Sequence, residues 1–337
     1  MKEIRKKLSA LLTDAGKSAE YAYSGGDCDI TGITDDTRSV SEGCIFICVK
    51  GARFDGHTAA AEMLEKGAAA VVCDHDLGLG DRQIVVSDTR KFYGHLTAAW
   101  FDHPEKQLTL IGITGTNGKT TLATMVHDIL SYTGEKTGLI GTTGALIGNE
   151  PVERDDSTPT TPKVYELYKI FRMMADQGCK YCVMEVSSFA LEQNRIGPAV
   201  YECAVFTNLT RDHLDYHGTM ERYCGAKAKL FHASRGAVCN ADDPWTERML
   251  RGVTCPVTRY GLQNPADLWA EGITLQERGV TFAACTVREC IPVRLGVPGR
   301  FSVYNALGAM AACRQLGIPL ADSAAALAAF PGVKGRM

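Results

Sequence analysis

Apolar residues fall in two textures along the chain. Up to about residue 105 they come as short runs, CIFICV (44–49), AAAVVC (68–73) and QIVVS (83–87), interrupted by HTAAAEMLEKG (57–67), whose apolar positions recur at helical spacing. This alternation predicts a small α/β domain over 1–105, with FDHPEK (101–106) as its exit. At the start, MKEIRKKLSALLTDAG sets Ile4, Leu8, Leu11 and Leu12 among charges, which predicts an amphipathic N-terminal helix.

From Leu108 the alternation lengthens: LTLIGIT, a helix from Lys119, TGLIGTT, a helix over 163–177, YCVMEV, YECAVFTNL, a helix over 219–233, then GAVCN. Apolar runs without internal alternation, separated by helices, predict a mainly parallel sheet covered on both faces. Between 256 and 298 the pattern turns to alternating segments such as GVTFAACTV and CIPVRLGV, which predict a smaller antiparallel portion. VYNALGAMAACRQLG and ADSAAALAAF predict two closing helices. The expected fold class is therefore α/β, with a second domain over 106–337 whose parallel sheet is flanked by helices.

Composition narrows the partners. A length of 337 residues suits two domains, and a net charge of −3 with no Lys/Arg run gives no footprint for nucleic acid. No apolar stretch reaches the length of a membrane span, and the N-terminus lacks the unbroken apolar core of a signal peptide. The expected location is the cytoplasm. The thirteen cysteines lie mostly in apolar runs and are expected to be buried thiols of a reducing compartment. Cys179 and Cys182 form a C-x-x-C without a second such pair, so they are read as structural.

The stretch GITGTNGKTT (112–121) joins a strand to a helix through glycines. Such a turn offers backbone N–H groups and the positive end of a helix dipole to an anion. Lys119 would reach outer phosphates and Thr120 would ligate magnesium. The strict G-x-x-x-x-G-K-[ST] pattern would need glycine at Ile113. Glu185 follows YCVME, and His213, with Asp212 and Asp215 beside it, follows AVFTNLTRD. Each alone reads as a solvated loop residue. Both follow strands, however, so both can emerge at the carboxyl edge that carries the loop and hold a metal there.

GTNGKTT, TPTTP (158–162), MEVSSFAL (184–191), FTNLTRDHLDYHGTMERYCGAK (206–227), NADD (240–243) and FPGVKGRM (330–337) together resemble the Mur ligases. Within that family the similarity is greatest to the MurE branch, which adds the third residue of the peptidoglycan stem peptide. The family's phosphate loop is the shorter GTNGKT form, which accounts for Ile113. The resemblance implies ATP binding by Gly115, Thr116, Asn117, Gly118, Lys119, Thr120 and Thr121, with Asn305 near the adenine. It implies Asp35, Thr37, Ala52, Arg53 and Phe54 against the uridine diphosphate end of the sugar nucleotide. It implies Thr160, Thr161, Ser187, Gln193 and Arg195 against the muramoyl dipeptide.

The same resemblance makes Lys119, Glu185, His213 and Lys227 the catalytic set. Magnesium would be held by Thr120, Glu185, His213 and Lys227, the last as a carbamate; from the residues alone Lys227 reads as a surface helix position. The implied reaction is ATP-dependent amide formation on UDP-N-acetylmuramoyl-L-alanyl-D-glutamate, through an acyl phosphate, with meso-diaminopimelate or L-lysine as the incoming amine and a monomer as the working form. Phe189 departs from the histidine of MEVSSHAL and is expected to alter substrate handling. Relatives continue past GRM into a third domain that grips the amino acid, so little turnover is expected of these 337 residues alone. The alternative is a non-catalytic module that binds the sugar nucleotide. A generic P-loop kinase or GTPase is disfavoured, since no N-K-x-D base-recognition motif is found.

Overall fold

In the computed structural model residues 4–154, 158 and 160–333 are described. Residues 1–3 of the N-terminal stretch, Pro159 of TPTTP and 334–337 of the last motif lie outside them. The chain forms two compact units: one runs to Pro104 and takes in Lys163–Arg172 and Gln193–Pro198, and the other holds Glu105–Pro162, Met173–Glu192 and the chain from Ala199.

In the first unit, Gly32–Thr34, Cys44–Ile47, Ala70–Cys73 and Gln83–Val86 form a parallel run, with Tyr21–Ala22 antiparallel at one edge. Ile45, Phe46, Val71 and Val72 are fully buried, as unalternating runs demand of central strands. The N-terminal helix is shorter than its amphipathic pattern predicts. It spans Leu8–Ala15, because Lys6–Lys7 is extended and pairs with Asp29–Ile30. A helix that the apolar runs did not reveal, Thr89–Trp100, starts where the Asp88 side chain accepts from the Lys91 N–H at 2.9 Å. Its Phe92, Leu96 and Trp100 recur every four residues and are buried.

The second unit is built on an eleven-stranded sheet. Thr137–Gly141, Tyr181–Glu185, Thr109–Thr114, Cys203–Phe206, Ala237–Asn240, Val257–Gly261 and Leu268–Gln276 run parallel in that spatial order. Antiparallel strands extend both ends: Gly144–Ile147 with Glu150–Val152, and Gly279–Cys285 with Cys290–Leu295. The helix Lys119–Tyr132 shares one core with Arg300–Gln315 and Leu320–Ala328, through Leu122, Met125, Val126 and Ile129 facing Val303, Leu307 and Met310.

The cysteines need one correction. Cys44, Cys48, Cys73, Cys179 and Cys182 are buried free thiols, but Cys285 and Cys290 are joined by a disulfide. They are register partners across the last antiparallel pair, and that opposition brings the sulfurs together whatever the run of sequence around them.

Leu122 is fully buried in that shared core. Leu122→Ala should lower stability by about 2–5 kcal/mol, read as a fall in the denaturant midpoint at unchanged slope. A midpoint that does not move would mean the helices do not share that core.

Candidate active site

The strand Thr109–Thr114 lies between Tyr181–Glu185 and Cys203–Phe206, so three parallel strands end at one edge. Beyond it the chain turns at Gly115 (φ +147°) and Gly118 (φ +84°), and the helix starts at Lys119. A Cβ on Gly115 would run into the Thr207 hydroxyl, and one on Gly118 would meet Asn305 Oδ1 at 2.5 Å. Backbone conformation and close packing therefore both demand glycine at these positions.

The first amides of the loop are not offered to a ligand, contrary to the expectation from sequence. The Thr116 N–H donates to Asn208 O at 2.8 Å, and the Asn117 N–H donates to Asn208 Oδ1 at 3.0 Å. In return Thr207 Oγ1 and Asn208 Nδ2 donate to Asn117 O, at 2.7 and 3.1 Å. The first intrahelical bond is Leu122 N–H to Gly118 O, 2.9 Å. The N–H groups of Gly118, Thr120 and Thr121 precede it, at the positive end of the helix dipole.

Two amines converge on one carbonyl of the loop. Lys119 Nζ donates to Gly115 O at 2.9 Å and to Thr116 O at 2.8 Å, while Lys227 Nζ donates to Gly115 O at 2.8 Å. Far from being a surface residue, Lys227 is 2% exposed, with its amine 4.7 Å from the Tyr223 ring centroid. Burial, reinforced by the charge of Lys119, pushes this amine well below the usual lysine range.

Glu185 is equally buried and faces the helix start. Its carboxylate accepts from Thr120 Oγ1 at 3.0 Å, from the Thr142 N–H at 2.8 Å and from Thr142 Oγ1 at 3.2 Å. Thr142 was missed by sequence reasoning. The available signal was a hydroxyl immediately after the strand Thr137–Gly141, which ends at the same edge. The Thr160 hydroxyl lies 3.2 Å from that of Thr142, and Thr161 Oγ1 donates to Glu185 O at 2.9 Å while accepting from the Ser187 N–H at 3.0 Å. Thr116 to Thr121, Thr142, Thr160, Glu185, Asn305 and Phe301 line a cavity of about 420 Å³. Thr120 and Glu185 present only oxygen atoms to it, a donor set that fits a hard cation such as magnesium.

Other candidates are not among the residues that line this cavity. His213 is left-handed (φ 52°) and half exposed, with Nε2 3.5 Å from Asp212 Oδ2 and its ring 5.0 Å from that of Phe189. It does not line the cavity with Glu185. Phe189 fills its position by ring contact, packing also on Tyr216 and His217. In the first unit, Arg195 donates twice to Gln193 Oε1, at 3.0 and 2.7 Å, and Asp35 pairs with Lys163 at 3.8 Å. Thr37 is half-buried there, and Ala52, Arg53 and Phe54 are exposed on a turn closed by Gly51 N–H to Phe54 O, 2.8 Å.

The matches to known proteins follow the same two regions. Residues 113–313 match the Mur ligase middle domain, and 29–100 match the Mur ligase family catalytic domain. The chain belongs to the Mur ligase family. This Mur ligase is 42% identical to the UDP-N-acetylmuramoyl-L-alanyl-D-glutamate–2,6-diaminopimelate ligase of Bacillus licheniformis, over 98% of this chain and 69% of the relative. It is 40% identical to the ligase of that name from Geobacillus kaustophilus, over 94% of this chain and 66% of the relative. A solved structure of such a diaminopimelate ligase superposes with a TM-score of 0.81 at 31% identity, covering 91% of this chain and 64% of that one. The chain thus spans about two thirds of the length of these relatives. Among the described residues no helix is long and apolar enough to cross a membrane.

The lowered Lys227 sets a pH dependence. An unfolded lysine titrates near about 10.4 and the buried amine titrates lower, so between the two values the unfolded chain binds the extra proton and stability rises with pH. In carbon-dioxide-free buffer, the stability of the wild type relative to Lys227→Met should therefore grow as pH is raised from neutral towards about 10. A difference that is flat or falls with pH would contradict the assignment.

Proposed function

We propose that this Mur ligase is of the MurE type, binding UDP-N-acetylmuramoyl-L-alanyl-D-glutamate and ATP for addition of a third amino acid to the stem peptide. The observation that carries the reading is the meeting of Thr120 and Glu185 at 3.0 Å in the cavity at the phosphate loop. It is supported by the roughly 40% identity to diaminopimelate ligases over most of the chain. Diaminopimelate is accordingly the favoured incoming amine over lysine.

In this reading the amides of Gly118, Thr120 and Thr121 take the ATP phosphates, and Lys119 leaves the Gly115 and Thr116 carbonyls to pair with the outer ones. Magnesium held by Thr120 and Glu185 would offset the charge that builds as one anion approaches another. The D-glutamate carboxylate attacks the γ-phosphorus, the bond to the β-bridging oxygen breaks, and ADP leaves. The amine then attacks the acyl phosphate and expels phosphate, losing one proton as the amide forms. Thr160 lines the cavity with Glu185, Thr161 and Ser187 are bonded beside it, and these are the groups to bind the dipeptide. In the first unit Gln193 and Arg195 are the further dipeptide-binding groups, and the two hydrogen bonds from Arg195 to Gln193 Oε1 hold the guanidinium plane. Asp35, Thr37, Ala52, Arg53 and Phe54 bind the uridine diphosphate end.

The lowered Lys227 supports a carbamate at that position, because only a neutral amine adds carbon dioxide: R–NH₂ and CO₂ give R–NH–COO⁻ and a proton. That step turns the neutral amine into an anion beside Lys119.

Calorimetry on the 337-residue chain tests the reading. Sugar nucleotide and Mg-ATP should both bind, with Lys119→Ala weakening Mg-ATP by about ten- to a hundredfold, the worth of a hydrogen bond to a charged group. Sugar-nucleotide binding that ignores Mg-ATP, together with no effect of Lys119→Ala, would instead indicate a non-catalytic binding module. With ¹³C-bicarbonate, the wild type should show a carbamate carbon resonance that Lys227→Met lacks. The same spectrum from both proteins would remove Lys227 from the catalytic set.

A further inference from the structure

We propose that His57, Asp74 and His75, in the first unit, form a binding site for a borderline divalent transition-metal ion of the zinc class. The site shares no residue with the nucleotide cavity and does not depend on the function proposed above. Asp74 and His75 follow the strand Ala70–Cys73 directly. The neighbouring parallel strand, Cys44–Ile47, leads through the Lys50–Asp55 turn to His57 in the short helix Gly56–Ala59. All three side chains thus meet at the carboxyl edge of a parallel sheet, where such sheets bind ligands.

Their ligand atoms lie within 4.8 Å of one another. His57 Nε2 is 3.2 Å from Asp74 Oδ1, and His75 Nδ1 is 2.5 Å from the same oxygen. The two imidazole rings stack at 5.1 Å between centroids. The His57 side chain is 7% exposed, and its other nitrogen, Nδ1, is 2.6 Å from Asp55 Oδ1.

That contact decides the chemistry. Asp55 accepts from Nδ1–H and also from the His57 backbone N–H at 3.1 Å, which leaves Nε2 of a neutral His57 with a lone pair. That lone pair lies 3.2 Å from Asp74 Oδ1 and accepts a long bond from the Asp74 backbone N–H, 3.3 Å, a contact that an ion bound between Nε2 and the carboxylate would replace. A carboxylate holding the far nitrogen of an imidazole is the usual outer partner of a metal-bound histidine. Two nitrogens and one oxygen select zinc, cobalt or nickel over magnesium, which prefers oxygen ligands. Three protein ligands leave a position for water, and the ion would tie the Lys50–Asp55 turn to the exit of the adjoining strand.

The test is a Co²⁺ titration of the whole chain with excess Mg²⁺, followed by visible absorption. One ion per chain should bind with weak d–d bands and without intense thiolate charge transfer. His75→Ala and Asp74→Asn should each weaken binding at least tenfold, and Asp55→Ala by about 10- to 100-fold, while Glu185→Gln should leave it unchanged. His75 is 60% and Asp74 44% exposed, so these two variants should keep the wild-type circular dichroism. No saturable uptake, uptake through thiolate alone, or uptake unaffected by both variants would overturn the proposal.

Discussion

Asn208 accepts two backbone N–H groups of the phosphate loop, one on its main-chain oxygen and one on its side chain, while Thr207 and Asn208 both donate back to Asn117 O. Asn117 is exposed and Asn208 half-buried, so each of these bonds contributes about 0.5–1.5 kcal/mol, and together they bind the loop's shape to the end of the strand Cys203–Phe206. That strand end is itself braced: Asn240 Nδ2 donates to Thr207 O at 2.9 Å, and the Tyr260 hydroxyl donates to Phe206 O at 3.1 Å. NADD thereby acts at a distance from the cavity. Asp242, its third residue, accepts the Leu262 and Asn264 amides and the Tyr304 hydroxyl, joining the next strand and the helix that carries Asn305.

Charge is distributed around this loop with one sign on each side. Lys119 and Lys227 share the Gly115 carbonyl, and Glu185 sits across the helix start with Thr120 and Thr142. Two cations at one acceptor in a buried setting are unfavourable together. The strain is relieved by a neutral Lys227, by its conversion to an anion, or by Lys119 moving onto a phosphate. Only the last of these involves an anionic ligand.

Much of the arrangement is legible in sequence, for identifiable reasons. The parallel strands announce themselves because central strands are buried on both faces, and the loop because a strand, two glycines and Lys-Thr come in sequence. Thr89–Trp100 escaped notice because its polar and apolar residues are mixed and its signal is a cap, Asp88. The Cys285–Cys290 pairing escaped because register, not local composition, creates it. Thr142 carries only a weak signal, a hydroxyl just after a strand, because the order of strands is what brings it to Glu185. The burial of Lys227 likewise depends on which face of its helix meets the loop, and the family resemblance, not the helix pattern, drew attention to it. His213 was grouped with Glu185 because both follow strands, yet its left-handed turn directs it to Asp212 and Phe189.

The proposed receptor for nucleotide phosphates is the 115–121 turn, held by Asn208. Amide hydrogen exchange with and without Mg-ATP measures this most directly. The Thr116 and Asn117 amides should exchange slowly in both states, and those of Gly118, Thr120 and Thr121 should gain protection when nucleotide is added. Equal protection of Gly118 to Thr121 with and without nucleotide, or Thr116 and Asn117 exchanging freely until it binds, would contradict it.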